Sequence, residues 1–161
     1  MSRPVRRALV AIALLVAGSV AAAVPAQAQS TAPTLTNIRT GNNPGFDRVV
    51  LDLSAGHVPG TLSYQLTDEL TADPSGEVVW LTGQYFVNVS VFAAAAHDQN
   101  GNPTYTGPQK FRTRNLSNVM AVAVTGDFES ALTIGLGVRS RTAVNVFTLT
   151  SPNRVVIDVA H

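Results

Sequence analysis

From Leu35 onward the chain alternates apolar and polar residues over short runs, and no window keeps helical spacing. In YFVNVSVF, Tyr85 to Phe92, the residues Tyr85, Val87, Val89 and Val91 fall on one face and Phe86, Asn88, Ser90 and Phe92 on the other. A period of two is the signature of a half-buried strand. Leu132, Ile134, Leu136 and Val138 alternate in the same way with Thr133, Gly135, Gly137 and Arg139, which predicts one apolar face and one small or polar face. Shorter strand candidates are Leu35 to Thr40, Thr61 to Leu66, Val78 to Leu81, Val119 to Val124 and Val144 to Thr150. Two further segments are near copies of each other: DRVVLDLS, Asp47 to Ser54, and NRVVIDVA, Asn153 to Ala160. About nine strands separated by Gly, Pro, Asn and Asp clusters predict an all-β, single-domain β-sandwich, mostly antiparallel. The one helix-like run, Ala93 to Ala96, is too short to hold a helix.

The twin segments carry a charge pattern. Val49, Leu51 and Leu53, or Val155, Ile157 and Val159, share the core-facing side, and Arg48, Val50 and Asp52, or Arg154, Val156 and Asp158, share the other. Within one strand Arg and Asp stand four residues apart, roughly 13 Å between Cα atoms, so their partners must come from neighbouring strands. Antiparallel pairing in register would set Arg48 opposite Asp158 and Asp52 opposite Arg154, whereas parallel pairing would set like charges together. The alternative is pseudo-symmetry, with each twin the equivalent strand of a different sheet. Either way the four charges read as architecture, each exposed pair contributing ~0.2–1 kcal/mol.

The first 28 residues change the composition. Arg3, Arg6 and Arg7 precede an apolar run from Ala8 to Val24 and the small-residue pattern Ala26-Gln27-Ala28. This is the layout of a secretory signal peptide, with cleavage expected after Ala28, a tail at 29–33 and the sandwich at 34–161. Removing it leaves eight Lys or Arg against ten Asp or Glu, so the formal charge of +1 becomes slightly negative. With a single Lys, such a domain lacks the basic footprint of a nucleic-acid binder or of an anionic-membrane binder. There is no cysteine, which excludes thiol catalysis, thiolate metal sites and disulfides, and leaves stability to the core.

Three loops interrupt the strands: Gly41 to Phe46, the acidic and solvated Asp68 to Glu77, and the longest, His97 to Lys110. Long surface loops carry binding roles more often than strands do. Asp98-x-Asn100-x-Asn102 begins like a calcium loop, but Pro103 stands where a tight turn needs Gly and Gln109 where a bidentate Glu is needed, so an Asn-Gly turn is the better reading. His57, His97 and His161 lack helical zinc spacing and read as loop or surface histidines. Ser54 near His57 has no nucleophile elbow around it. Asp127 and Glu129 in GDFES would point the same way on a strand, the carboxylate pair that glycoside hydrolysis needs, although a pair beside a Gly is more often turn chemistry. Of Trp80, Tyr64, Tyr85 and Tyr105, most read as core, and Tyr105, alone in a polar loop, is the best exposed platform.

GFDRVVLDLS, YFVNVSVF, GDFES before an apolar strand and the closing L-x-x-P-x-R-V-V-I-D-V from Leu149 to Val159 together resemble the AMIN-like domains of secreted actinobacterial proteins. Those are similar to the AMIN domain that precedes the catalytic part of some N-acetylmuramoyl-L-alanine amidases and occurs in secretin-type envelope proteins. The resemblance spans about residues 34–160 and implies a β-sandwich that binds at the cell envelope, with peptidoglycan or another wall glycan as ligand and no catalysis or cofactor. An envelope protein is the alternative partner. Neutral sugars are held by amides, carboxylates and an aromatic platform, which makes Asn100, Asn102, Tyr105, Asp127 and Glu129 the candidate ligand-binding residues. No metal site, nucleic-acid partner or membrane partner after signal cleavage is expected.

Overall fold

A computed structural model describes residues 32–161; the expected signal peptide lies outside the described residues. The described residues form nine strands and no helix: β1 (Leu35–Asn43), β2 (Phe46–Leu53), β3 (Leu62–Thr67), β4 (Tyr85–Phe92), β5 (Lys110–Arg112), β6 (Val119–Phe128), β7 (Ala131–Val138), β8 (Val144–Leu149) and β9 (Arg154–Ala160). They make two antiparallel sheets, one in the order β1-β2-β9-β8 and one in the order β3-β4-β7-β6-β5. The alternation seen in the sequence builds the core between them. Val49, Leu51, Val155 and Ile157 from one sheet and Val87, Val89, Val91, Leu132, Ile134 and Leu136 from the other are fully buried in a single cluster. Each such side chain contributes about 1.5–3 kcal/mol of burial. The chain is already docked at the last residue of the expected tail, where the Pro33 carbonyl accepts the Ala95 N–H.

The twin segments are antiparallel neighbours at the centre of the four-stranded sheet. Their register sets Arg48 opposite Asp158 and Asp52 opposite Arg154, which decides for partnership over pseudo-symmetry. The charges follow this register only in part. Arg48 donates twice to Asp158, at 2.7 and 2.8 Å, with its guanidinium over the rings of Phe46 and Phe147. Asp52 instead takes both donors of Arg39 on β1, each at 2.7 Å, and Arg154 donates to the Pro152 carbonyl. A fork of two parallel hydrogen bonds outcompetes a facing side chain that is only nearby.

One core-side position was not legible as such. Asp47, on the face of Val49 and Leu51, is fully buried, and its carboxylate accepts the backbone N–H groups of Ser117, Asn118 and Val119 and the Asn42 amide. It ties the β5–β6 connection to the start of β2.

Two expectations fail on the outer face of the five-stranded sheet. Val78 to Leu81 is not a strand of either sheet; Val79 bonds back to Leu70 within the 68–83 segment, and the ninth strand is the three-residue β5. Nor is Asp68 to Glu77 wholly solvated, because Leu70 is buried. The segment lies across β7, whose outer positions are small to admit it. A Cβ on Gly135 would meet Leu70 and Thr125, and one on Gly137 would lie 2.0 Å from the Thr82 carbonyl oxygen. The predicted polar face of β7 is therefore a second buried layer.

Candidate ligand-binding groove

The 97–110 loop meets the end of β6. Asp127 stands opposite Leu132, on the core-facing side of the sheet and past Val124, the last apolar core-side residue of β6. The connector that reaches it is the alanine run: Ala94, Ala95 and Ala96 are buried, and Ala95 exchanges backbone hydrogen bonds with Pro33 and Leu35. The next residue, His97, emerges with its ring Nδ1 2.6 Å from Asp127 Oδ2. The carboxylate thereby fixes the orientation of the imidazole.

Beyond His97 the loop closes on itself. His97 pairs with Pro103, and Asp98 to Gly101 form a turn completed by Gly101 in the left-handed region, φ +81°. The Asp98 carboxylate accepts the backbone N–H groups of Asn100 and Asn102 and the Asn102 side-chain amide. These bonds, the Asn102 side chain first, hold the Asp98 carboxyl below its ordinary range. The Asp-x-Asn-x-Asn spacing is thus an Asx turn, and among the described residues no group of three or more His, Asp or Glu is placed to hold a metal ion.

Between loop and strand lies a groove of about 420 Å³, lined by His97, Gly101, Pro103, Gln109, Val124 and Asp127 among others. Its polar groups are an imidazole, an amide and a carboxylate. Asp127 Oδ1 is buried and has no hydrogen-bond partner among the described residues. A buried acceptor without a donor costs about 1–3 kcal/mol.

The five residues proposed from the sequence are placed unequally. Asp127 lines the groove. Asn100 and Asn102 are exposed on the loop beside it, with Asn102 committed to Asp98. Glu129 does not share a face with Asp127: it and Ser130, at φ +49° and +60°, are the two central residues of the β6–β7 turn, the left-handed pair of a tight hairpin. Tyr105 is a correction. Far from presenting a platform, it is 5% exposed in the core, its ring against Gly107 and its hydroxyl donating to the Pro108 carbonyl. Burial pushes that hydroxyl pKa up. The most exposed aromatic among the described residues is Trp80, at 82%.

His97 and Gln109 were missed as groove residues. They are the first residue and the last but one of the loop singled out by its length, and that position was the available signal. The AMIN-like domain family matches residues 33–161. No curated protein and no solved structure matches the chain. With four-fifths of the sequence inside the match, the chain belongs to the AMIN-like domain family, whose domains are generally non-catalytic binding modules of extracytoplasmic proteins.

Proposed function

We propose that this protein is exported by its N-terminal 28 residues and acts outside the cytoplasm as a non-catalytic module that binds peptidoglycan or another wall glycan in the His97–Asp127 groove. The observation that carries the reading is an open polar groove of about 420 Å³, on whose wall His97 and Gln109 stand with the partly exposed Asp127 carboxylate. Sugar hydroxyls and acetamido N–H groups are the donors that neutral wall glycans offer, and Gln109 supplies both donor and acceptor capacity across from it. His97, oriented by Asp127, completes the wall. Asn100 and Asn102, exposed on the same loop, are available to a longer ligand.

The test is sedimentation with purified, protein-free cell wall. The protein is expected in the pellet at low and at physiological salt, and Asp127→Asn, which replaces an acceptor by a donor at one oxygen position, is expected to shift a large share of it to the supernatant. A protein that stays in the supernatant at both salt concentrations contradicts the reading.

A second reading, a module that binds an envelope protein, is supported by one surface feature. Phe92 and Phe128 stand on the two sides of Ala131 in adjacent strands, roughly 10 Å apart across β7, and are 44% and 46% exposed. Recovery of one protein partner after the wall is digested, lost on Phe128→Ser, would favour it.

A further inference from the structure

Eight Lys or Arg fall within residues 32–161, and their distribution is uneven. Arg39, Arg48 and Arg141 are held in ion pairs with Asp52, Asp158 and Asp68. Among the described residues, the other five carry no ion pair, and three of them, Lys110, Arg112 and Arg139, line two adjoining grooves, with Arg114 close by in the chain. Lys110, Arg112 and Arg114 occupy alternate positions along β5 and just past it, and Arg139 directly follows β7. All four are exposed. The register sets Lys110 opposite Ala123 and Arg112 opposite Ala121, small residues that leave room above the strand.

The 80–82 stretch of the crossing segment forms the other bank. A groove of about 230 Å³ runs between Trp80 and Thr82 on one side and Lys110 and Arg112 on the other. A second groove of about 200 Å³ continues it, sharing Thr82 and Arg112 and reaching Arg139. Neither is lined by an Asp or Glu. Lys110 donates to the Trp80 carbonyl at 3.4 Å, which holds the ammonium beside the most exposed large apolar side chain of the domain.

Three cations without carboxylate partners concentrate positive potential in a domain whose net charge is negative, and an exposed indole offers a flat apolar face next to them. Guanidinium groups take carboxylate and phosphate oxygens in a bidentate fork. We propose that this pair of grooves is a second binding site, for an acidic sugar chain: a ring stacks on Trp80 while its carboxylate or phosphate substituents engage Lys110, Arg112 and Arg139. It is separate from the His97–Asp127 groove and does not depend on a neutral glycan binding there.

Trp80 is the only tryptophan of the sequence, so its fluorescence reports on the site directly. The full chain is titrated with tetragalacturonate, a phosphorylated pentamannose and neutral chitotetraose. The expected result is a saturable change with one or both acidic sugars, which also identifies the substituent, at an affinity at least about tenfold above that for chitotetraose and weakened by salt. Lys110→Gln with Arg112→Gln is expected to lower that affinity by about tenfold or more, whereas Arg154→Gln, an unpaired cation on the other sheet, leaves it unchanged. The proposal is overturned by no saturable change with either acidic sugar, by equal affinity for chitotetraose, or by unchanged affinity in the Lys110/Arg112 double variant.

Discussion

Arg48 on β2 and Asp158 on β9, 110 residues apart in the chain, face each other in register and are joined by a two-bond fork. The pair is the charge-complementary seam of the central strands, and it differs in setting from its neighbour Arg39–Asp52. The side chains of the first are 35% and 15% exposed, and those of the second 53% and 23%. Arg48 also has two aromatic rings beneath it. Double-mutant cycles to alanine, read by urea unfolding, are expected to give a coupling of about 1–2 kcal/mol for Arg48–Asp158 and below about 1 kcal/mol for Arg39–Asp52. Equal couplings would contradict the difference in setting.

Hydrogen bonding to Arg39 holds the Asp52 carboxyl below its ordinary value of 3.8. A carboxyl more acidic in the folded than in the unfolded chain stabilises the fold fully above its unfolded pKa, and this contribution is lost as pH falls through the folded value. The stability difference between the wild type and Asp52→Asn is therefore expected to be constant from pH 7 to about pH 5 and to shrink below about pH 4. Urea unfolding at steps down to pH 2 reads it, and a difference that does not change with pH would contradict the assignment.

Asp47 is buried with four N–H donors aimed at its two oxygens. Asp47→Asn keeps the shape but turns one acceptor into a donor facing donors, and is expected to cost about 2–4 kcal/mol. A loss below about 1 kcal/mol would show that the N–H groups find other partners.

Gly137 carries the closest approach of the 68–83 segment to β7. Gly137→Ala cannot be accommodated by a side-chain rotation, because the obstacle is the Thr82 backbone, and is expected to cost about 1–3 kcal/mol and to speed hydrogen exchange in that segment. Gly41→Ala, where nothing lies within 4 Å of the added Cβ, serves as the control.

The long strands were legible because eight or so residues of alternation fix both the element and its buried face, as in β4 and β7. The twin segments gave a register conditional on their pairing, since only the antiparallel alignment opposes unlike charges, but left pairing and pseudo-symmetry open until the structure made them neighbours. What escaped were relations set by chain crossings. Three residues of β5 cannot display a period, and the apolar Val78 to Leu81 reads as a strand whether it joins a sheet or lies on one. Arg39 displaced Arg154 as the partner of Asp52 from an adjacent strand that the twin pattern did not include. Tyr105 is surrounded in sequence by polar residues yet buried in space, packed against Gly107. His97 stood in the loop chosen for its length, but its partner Asp127 lies 30 residues away, a distance no spacing rule spans.

The central claim is that a wall glycan donates to Asp127 in the groove beside His97. Amide chemical-shift mapping of the protein, titrated with muramidase-solubilised wall fragments, tests it most directly. Saturable shifts are expected at His97, Gly101, Gln109 and Asp127, and their loss in Asp127→Asn. Groove amides that stay unmoved at saturating fragment, or that move equally in Asp127→Asn, would contradict the account.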